Sequence, residues 1–515
     1  MMGNTSPAPH AREGDNMELH NAESEEQDFD EWVEELDVTT KPSIWERKDV
    51  TYDQGSFRTD QGNAERLAEM YGHNLLLCSE LGSDAWLVWD GRRFARTAES
   101  KHQLSQMAAD TARAMYYAAG RVKDHDQRKA MAQWALRSED SFRVKAMVQQ
   151  AAALPEVRIR LTGLDSDPSL LNVLNGTIEL QTGELQEHRR EDRITKLAGV
   201  EFDPDAVSGE WTRFLEESLP DPEVRAFVQR AAGYSLCGDG REHVIYFIHG
   251  PGGTGKTTFL EAFKAVLGEY STTASWATFQ QAVGEGRGPR SDITRLAGAR
   301  MVAASEAREN LALDAGMLKT LTGGDTVVAR ELYKAEVEFT PQFTLWLASN
   351  NRPSLPDDDS GMWRRLVQIP FTEVVPDDRK DPGLQSRLRD PALSGPAILR
   401  WALEGLRAYR ELGLEPPSAV MNYTAEYRAE VSPLADFLQD CCVLGDGLNS
   451  TSAALWEAYA AYARANLVPD ELGRQAFRNR LRTDARFKPA RFPGDKRGYF
   501  GIGLVSEGAA DTGMG

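Results

Sequence analysis

The stretch VIYFIHGPGGTGKTTFLEAFKAVLG at residues 244–268 decides the fold of this chain. Residues 244–248 are a continuous run of β-branched and aromatic side chains, which predicts a buried strand. Residues 250–257 match the pattern G-x-x-x-x-G-K-[ST] in full, and a helical pattern follows them directly. A strand, a glycine-rich loop and a helix in this order are typical of an α/β nucleotide domain. We therefore predict such a domain over residues 236–375.

The loop carries the residue types that hold phosphate groups. Its glycines let backbone N–H groups turn toward an anion, and the following helix adds the positive end of its dipole. Lys256 is expected to contact the β- and γ-phosphates of ATP, and Thr257 to ligate Mg²⁺. The predicted nucleotide-binding residues are Gly250, Gly252, Gly253, Thr254, Gly255, Lys256, Thr257 and Thr258.

A second strand pattern follows the loop at residues 299–306 and ends in Glu306. A nucleotide site needs an acid on a neighbouring strand that helps to hold Mg²⁺ and to activate water. Glu306 is therefore a candidate for this role, although a strand that ends in a glutamate is weak evidence when taken alone.

Three further elements follow in the chain. Residues 319–339 predict a loop and then a hairpin with Lys334 near its tip, and residues 343–348 predict a buried strand that ends close to Asn350. The last element, GMWRRLVQIPF, contains the pair Arg364 and Arg365 directly before a strand pattern. This arginine pair could serve catalysis or form a salt bridge at the end of the strand.

Taken in order, these residues resemble the superfamily 3 helicases, most of all the phage and plasmid primase–helicases and the C-terminal half of poxvirus primase–helicases. The family orders its motifs as Walker A, Walker B, B-prime, motif C and arginine finger, and all five have a counterpart within residues 250–365. The resemblance implies an AAA+-like ATPase that forms a hexameric ring and moves along single-stranded DNA. It extends upstream to a leader domain and downstream to a winged-helix-like tail, over about residues 160–500.

The resemblance assigns a role to each motif residue. Glu306 matches the Walker B acid; the family often has an acidic pair there, whereas this chain has Ser305 and Glu306, so Glu309 could assist. Asn350 matches the motif C sensor, which would orient the attacking water. Arg365 is the first choice for the arginine finger and Arg364 the second. A finger neutralises charge that develops on the transferred phosphoryl group, and one supplied by a neighbouring subunit implies a ring.

Two segments are candidates for contact with single-stranded or forked DNA. The B-prime hairpin offers Arg330, Tyr333 and Lys334, of which Lys334 at the tip suits a phosphate contact. The C-terminal region offers a basic helix and a basic hairpin, which would suit a duplex or a fork, although a solvated basic face is the alternative. The predicted contacts there are Arg478, Arg482, Lys496 and Arg497.

The charge of the chain is strongly polarised. The 515 residues carry a formal net charge of −20, which by itself would argue against a nucleic-acid partner. Residues 1–60, however, hold 16 acidic and 5 basic side chains, whereas residues 471–500 hold 9 basic and 3 acidic ones. The acidic excess is therefore concentrated in an N-terminal tail that we predict to be mostly disordered, and that could recruit a separate primase or replication protein. We expect no primer synthesis by this chain, because this tail is too short for a primase domain.

Several other classes of protein are excluded by composition. Four cysteines, two of them adjacent, suit neither a disulfide framework nor a zinc knuckle, and they fit a reducing compartment. No apolar run reaches 18 residues, and the N-terminus lacks the apolar segment of a signal peptide. We therefore expect no membrane contact and a cytoplasmic location, which would be the bacterial host cytoplasm if a phage encodes the chain.

The predicted organisation has five parts. An acidic tail (1–60) precedes an α+β leader domain (61–235), the ATPase domain (236–375), a helical annex (376–430) and a winged-helix-like DNA-binding domain (431–515). The function that fits best is a replicative helicase of a phage or mobile element. Two alternatives remain: a nucleotide-switched initiator or loader that binds DNA without processive unwinding, and a packaging or remodelling ATPase that acts on protein.

Overall fold

The computed structural model describes residues 58–82, 84–281, 290–305, 312–330, 336–355, 359–430, 434–466, 472–484 and 486–505. Glu306, Glu309, Tyr333, Lys334 and nearly all of the acidic tail lie outside these ranges.

The first part of the leader region combines a small antiparallel sheet with helices. The sheet has the order β1-β2-β3, formed by Leu75–Leu77, Trp86–Trp89 and Phe94–Ala95. The helices are Asp60–Tyr71, Ala98–Gly120, His125–Ser138 and Ser141–Ala151. The third and fourth of these helices are separate, because Glu139 is the C-cap of one and Asp140 is the N-cap of the next.

The second part of the leader region begins with a three-stranded antiparallel sheet. Its strands are β4 (Leu170–Val173), β5 (Gly176–Glu179) and β6 (Glu184–Gln186), joined by turns at residues 174–175 and 180–183. Helices Gly209–Ser218 and Pro222–Tyr234 follow. Residues 219–221 separate the two helices, and the Asp221 side chain caps the second helix by accepting from the N–H groups of Glu223 and Val224.

A five-stranded parallel sheet forms the centre of the molecule. In chain order the next strands are β7 (Ile245–His249), β8 (Ser271–Thr273), β9 (Met301–Ser305), β10 (Val327–Arg330), β11 (Glu336–Phe339), β12 (Thr344–Ser349) and β13 (Leu366–Pro370). The parallel sheet has the order β13-β7-β12-β9-β8, and β10 and β11 form a separate antiparallel hairpin. The helices between these strands are Lys256–Leu267, Ser291–Thr294, Ala315–Thr322 and Ser360–Trp363.

Hydrophobic side chains cover both faces of this sheet, as expected for parallel strands. On β7 and β12, Tyr246 and Trp346 point into one core, and their neighbours Phe247 and Leu345 point into the other. The first core also includes Trp211 of the leader region and Leu399 after the sheet. One core therefore runs across the boundaries predicted at residues 235 and 375.

The helices after the sheet are Leu384–Arg389, Gly395–Leu412 and Ser418–Glu430. Gly395–Leu412 crosses helix Pro222–Tyr234 with the two backbones in contact: a Cβ on Gly233 would lie 2.1 Å from Leu406 N, and one on Gly405 would lie 2.0 Å from Gln229 O. Helix Ser418–Glu430 covers the edge strand β13, where the Gln368 N–H donates to Thr424 Oγ1 at 2.9 Å.

The C-terminal region has a hydrophobic core of its own, which includes Phe437, Tyr459 and Phe477. Its elements are helix Ala435–Cys441, β14 (Cys442–Thr451), helices Ser452–Ala465 and Arg474–Thr483, β15 (Lys488–Phe492) and β16 (Lys496–Leu504). The strands form an antiparallel sheet in the order β14-β16-β15. The predicted basic hairpin is thus confirmed as β15 and β16.

Two observations concern the chemistry of the whole chain. All four cysteines are free thiols. Among the described residues, every helix is too short or too polar to cross a lipid bilayer.

Candidate functional site

The carboxyl ends of the parallel strands meet at one edge of the central sheet, and the predicted motifs lie there. The glycine-rich loop follows β7, and Asn350 follows β12. The two strands are neighbours, with Ser349 paired to His249, while Ala348 pairs to Ser305 at the end of β9. The sheet therefore brings the loop, Asn350 and the residue before Glu306 to adjacent positions, with Asn350 exposed in the middle.

Two glycines allow the loop to pack closely against its surroundings. Gly250 has φ +152°, and a Cβ on it would lie 1.8 Å from the carbonyl oxygen of Phe371. Gly255 has φ +90°, and a Cβ there would lie 2.5 Å from Ser218 Oγ. Any other residue at either position would be strained in its backbone and would clash with its neighbours. The loop is thus held between the end of β13 and the leader helix Gly209–Ser218.

Lys256 lies inside the loop and is only 7% exposed. Its Nζ donates to the carbonyl oxygens of Gly250 at 2.6 Å and Pro251 at 2.7 Å. Burial lowers the pKa of Lys256, since the charged ammonium loses solvation. The Lys256 ammonium group therefore lies within the space that the loop encloses.

The start of helix Lys256–Leu267 suits an anion. No side chain caps this helix, because its cap position is Gly255. Its first N–H groups are therefore open to an external acceptor. In the first turn of this helix, Thr257 is exposed and Thr258 is half-buried.

A polar cluster behind the loop was not predicted from the sequence. His249, directly before Gly250, is hydrogen-bonded through Nδ1 to the Tyr423 hydroxyl at 2.7 Å. The Arg352 guanidinium stacks over the Tyr423 ring at 4.8 Å, pairs with Glu430 and donates to Gln368 Oε1 at 3.0 Å. Burial, with Arg352 and Lys256 nearby, lowers the pKa of His249 to about 4. No local pattern indicates this cluster, since its members come from four separate segments.

The arginine pair lies at the opposite edge of the sheet. The carbonyl oxygen of Arg365 accepts from the N–H of Ile245, the first residue of β7, at 2.7 Å. Arg365 is half-buried, and its Nη1 donates to the Gly361 carbonyl oxygen at 2.8 Å, whereas Arg364 is exposed. Five strand residues at about 3.3 Å each separate the two edges, roughly 16 Å. The structure does not bring either arginine to the loop of its own chain.

The candidate DNA contacts are arranged on two hairpins and a helix. In the β10–β11 hairpin Arg330 is exposed and pairs across with Glu336, while the tip with Tyr333 and Lys334 lies outside the described residues. In the C-terminal region Arg482, Lys496 and Arg497 are exposed and Arg478 is half-buried.

Comparison with known families gives two matches along the chain. The family described as D5 N terminal like matches residues 64–220, which lie in the predicted leader domain. A family of unknown function, DUF5906, matches residues 248–365, which contain the loop and the arginine pair.

The curated relatives are viral proteins. A protein of Acanthamoeba polyphaga mimivirus named as helicase L207/L206 is 28% identical over 56% of this chain and 32% of its own length. Helicase 022R of Frog virus 3 is 23% identical over 59% of this chain and 39% of its own. An African swine fever virus protein named as primase C962R is 26% identical over 44% of this chain and 24% of its own length. The chain thus spans about two fifths or less of each of these relatives.

Among solved structures, the apo structure of the NrS-1 C-terminal region is 14% identical over 59% of this chain and 77% of that one, with a TM-score of 0.37. The chain is thus similar to the D5 N terminal like family over residues 64–220 and to viral proteins named as helicases and primases.

Proposed function

We propose that this chain is an ATP-dependent DNA helicase of the superfamily 3 type that acts in replication as a hexameric ring on single-stranded DNA. One observation carries the proposal: the glycine-rich loop and Asn350 lie side by side at the carboxyl edge of a parallel sheet. An anion cradle next to an exposed polar side chain is the arrangement that phosphoryl transfer to water requires. Relatives named as helicases and primases support the same function.

The loop fits the triphosphate of ATP. The uncapped helix start and the turned backbone of Gly250 and Gly255 present N–H groups to phosphate oxygens. Lys256 would exchange its loop carbonyl partners for phosphate oxygens and neutralise part of their charge. Asn350 would orient the attacking water, and Glu306 would accept its proton.

Thr257 and Glu306 would hold Mg²⁺, which when bound neutralises charge on the β- and γ-phosphates. The exposed hydroxyl of Thr257 at the first turn of the helix suits this role, because hydroxyl and carboxylate oxygens are the ligands that Mg²⁺ prefers.

The position of the arginine pair supports a ring. Neither Arg364 nor Arg365 lies at the edge of the sheet that carries the loop of its own chain, so an arginine finger would have to come from a neighbouring subunit. Arg364 is the more exposed of the two, and Arg365 would first have to release the Gly361 carbonyl oxygen. We propose both as candidates for the finger, acting between subunits.

The C-terminal region would bind DNA as a winged-helix-like domain. Its order of elements, a helix, a strand, two helices and two strands, supports this fold. Helix Arg474–Thr483 and the β15–β16 ribbon would contact the duplex or the fork with Arg478, Arg482, Lys496 and Arg497. The acidic tail would recruit a separate primase, and the four free thiols suit the cytoplasm.

Hydrolysis of ATP with and without single-stranded DNA tests this function. We expect the wild type to hydrolyse ATP faster when DNA is present, and Lys256→Ala to lose at least about 100-fold in rate. Lys129→Ala, at an exposed position on helix His125–Ser138, is the matched control and should retain the wild-type rate. Hydrolysis by Lys256→Ala at the wild-type rate would place the ATP site elsewhere.

A further inference from the structure

The antiparallel ribbon of β15 and β16 carries aromatic side chains on its solvent side. Phe500 is 47% exposed, although its neighbour Tyr499 is buried in the core of the C-terminal region. The Phe492 and Phe500 rings meet edge to face, with their centroids 5.7 Å apart. Phe492 therefore supports the Phe500 ring, which leaves a large part of Phe500 in solvent.

Two lysines flank these rings on the same face. Lys488 lies directly opposite Phe500 in the strand register, and Lys496 lies directly opposite Phe492. Residues paired across an antiparallel ribbon project to the same side. We call these four residues, Lys488, Phe492, Lys496 and Phe500, the ribbon face.

A glycine keeps the ribbon face continuous. Gly498 lies between Lys496 and Phe500 on the same side of β16, and a Cβ on it would lie 2.6 Å from Phe492 Cε2. The Phe492 ring therefore occupies the space that a side chain at position 498 would fill. As a result, the two rings form one surface.

The charge around the ribbon face favours an anionic partner. Residues 486–505 contain five basic side chains and a single acid, Asp495. Asp495 lies 3.4 Å from Arg491, and Arg486 pairs with Asp484. Lys488 and Lys496 are both exposed, which leaves two cations on the same face as the exposed Phe500 ring.

We propose that the ribbon face stacks an unpaired nucleobase of a DNA strand, with Phe500 as the stacking side chain and Lys488 and Lys496 contacting the flanking phosphates. This inference rests on the proposed function, because it takes DNA as the partner. An aromatic ring among cations matches the chemistry of single-stranded nucleic acid. Within a duplex the faces of the bases are covered by their neighbours, so the ring selects the unpaired strand or the branch of a fork.

Fluorescence anisotropy with three labelled probes tests the inference: an oligo-dT single strand, a forked duplex and a blunt duplex. We expect Phe500→Ala to weaken binding of the single strand and the fork about fivefold or more, because the loss of one base–aromatic stack lowers affinity on that scale. Binding of the blunt duplex should change less than about twofold. Phe500→Trp should restore the affinity. Val443→Ala, which removes another half-exposed apolar side chain of the same sheet, should bind all three probes like the wild type.

The outcomes for base stacking are distinguishable from the outcomes for the helicase proposal. Equal losses on all three probes, or no loss at all, would overturn base stacking even if the wild type unwinds DNA with ATP. Tighter DNA binding by Phe500→Ala would also overturn it. If the wild type does not unwind DNA but Phe500→Ala selectively loses the single strand, the inference holds and the helicase proposal fails.

Discussion

The backbone N–H of Ile245 donates to the carbonyl oxygen of Arg365 at 2.7 Å, at the edge of the central sheet where β7 begins. The glycine-rich loop leaves the other end of the same strand. The arginine pair and the loop of one chain are therefore fixed at opposite edges of a parallel sheet whose strands are buried on both faces. A contact between the arginine pair and the loop would therefore need a second copy of the chain.

Mixing two inactive variants tests whether the arginine finger acts between subunits. Lys256→Ala keeps the arginines but has a defective loop, and Arg364→Ala/Arg365→Ala keeps the loop but lacks the finger. We expect each variant alone to hydrolyse ATP about 10³-fold more slowly than the wild type. A mixture should hydrolyse ATP clearly faster than the sum of the two, because some interfaces then combine an intact loop with an intact arginine.

Single substitutions then identify the finger. The residue whose loss reproduces the double variant is the finger, and Arg407→Ala, at an exposed position on helix Gly395–Leu412, is the control. A mixture that is no faster than its separate components would argue against an interface between subunits.

Gly250→Ala should damage the loop while Gly252→Ala should not. A Cβ on Gly250 would lie 1.8 Å from a backbone oxygen at a positive φ, whereas nothing lies within 4 Å of one on Gly252. We expect Gly250→Ala to lower the free energy of unfolding by about 2 kcal/mol or more and to abolish ATP binding. Gly252→Ala should stay within about 0.5 kcal/mol of the wild type in thermal or chemical unfolding. Equal stability of the two variants would contradict the packing of the loop against Phe371.

His249 should make stability depend on pH in a defined window. Its pKa is about 4 in the folded chain and has an ordinary value of 6.5 when unfolded. Between these values the unfolded chain binds more protons at this site, so the folded state loses stability as the pH falls from 6.5 toward 4. His249→Asn removes this proton binding while it keeps a group that can hydrogen-bond to Tyr423.

Melting temperatures at pH 7 and pH 5 measure this effect. The melting temperature of the wild type should fall more between pH 7 and pH 5 than that of His249→Asn does. His125→Asn, at an exposed position, is the control and should behave like the wild type. An equal loss in the wild type and His249→Asn would show that this histidine is not buried against Arg352.

Lys334, which lies between β10 and β11 in the sequence and outside the described residues, should couple DNA binding to ATP hydrolysis. We expect Lys334→Ala to reduce DNA stimulation of ATP hydrolysis more than it reduces the rate without DNA, because the tip would contact the phosphates of the translocating strand. Steady-state hydrolysis with increasing single-stranded DNA measures this. If DNA stimulates ATP hydrolysis by Lys334→Ala as strongly as by the wild type, the hairpin does not contact the translocating strand.

The central strands were predictable because their sequence signal is strong. Residues 244–248 are a continuous run of β-branched and aromatic side chains, residues 343–348 are apolar except for Thr344, and the structure has β7 and β12 there. Parallel pairing then places whatever follows these strands at one edge, so the positions of Gly250 and Asn350 follow from the sequence.

Contacts between distant segments could not be predicted in the same way. Tyr423 is hydrogen-bonded to His249, which lies 174 residues earlier in the sequence, and no periodic pattern marks either residue. The contact between Gly233 and Gly405 depends on how two helices cross, which also joins regions predicted as separate domains. Strand β14 contains glycines and polar residues, and it is a strand because it pairs with β16 on either side of a bulge.

Unwinding of a forked DNA duplex with ATP and Mg²⁺ distinguishes a helicase from a nucleotide-switched loader. We expect that the wild type separates the strands, that Lys256→Ala does not, and that a non-hydrolysable ATP analogue supports binding but no separation. DNA binding that responds to ATP without any strand separation would contradict a helicase and identify a nucleotide-switched loader instead.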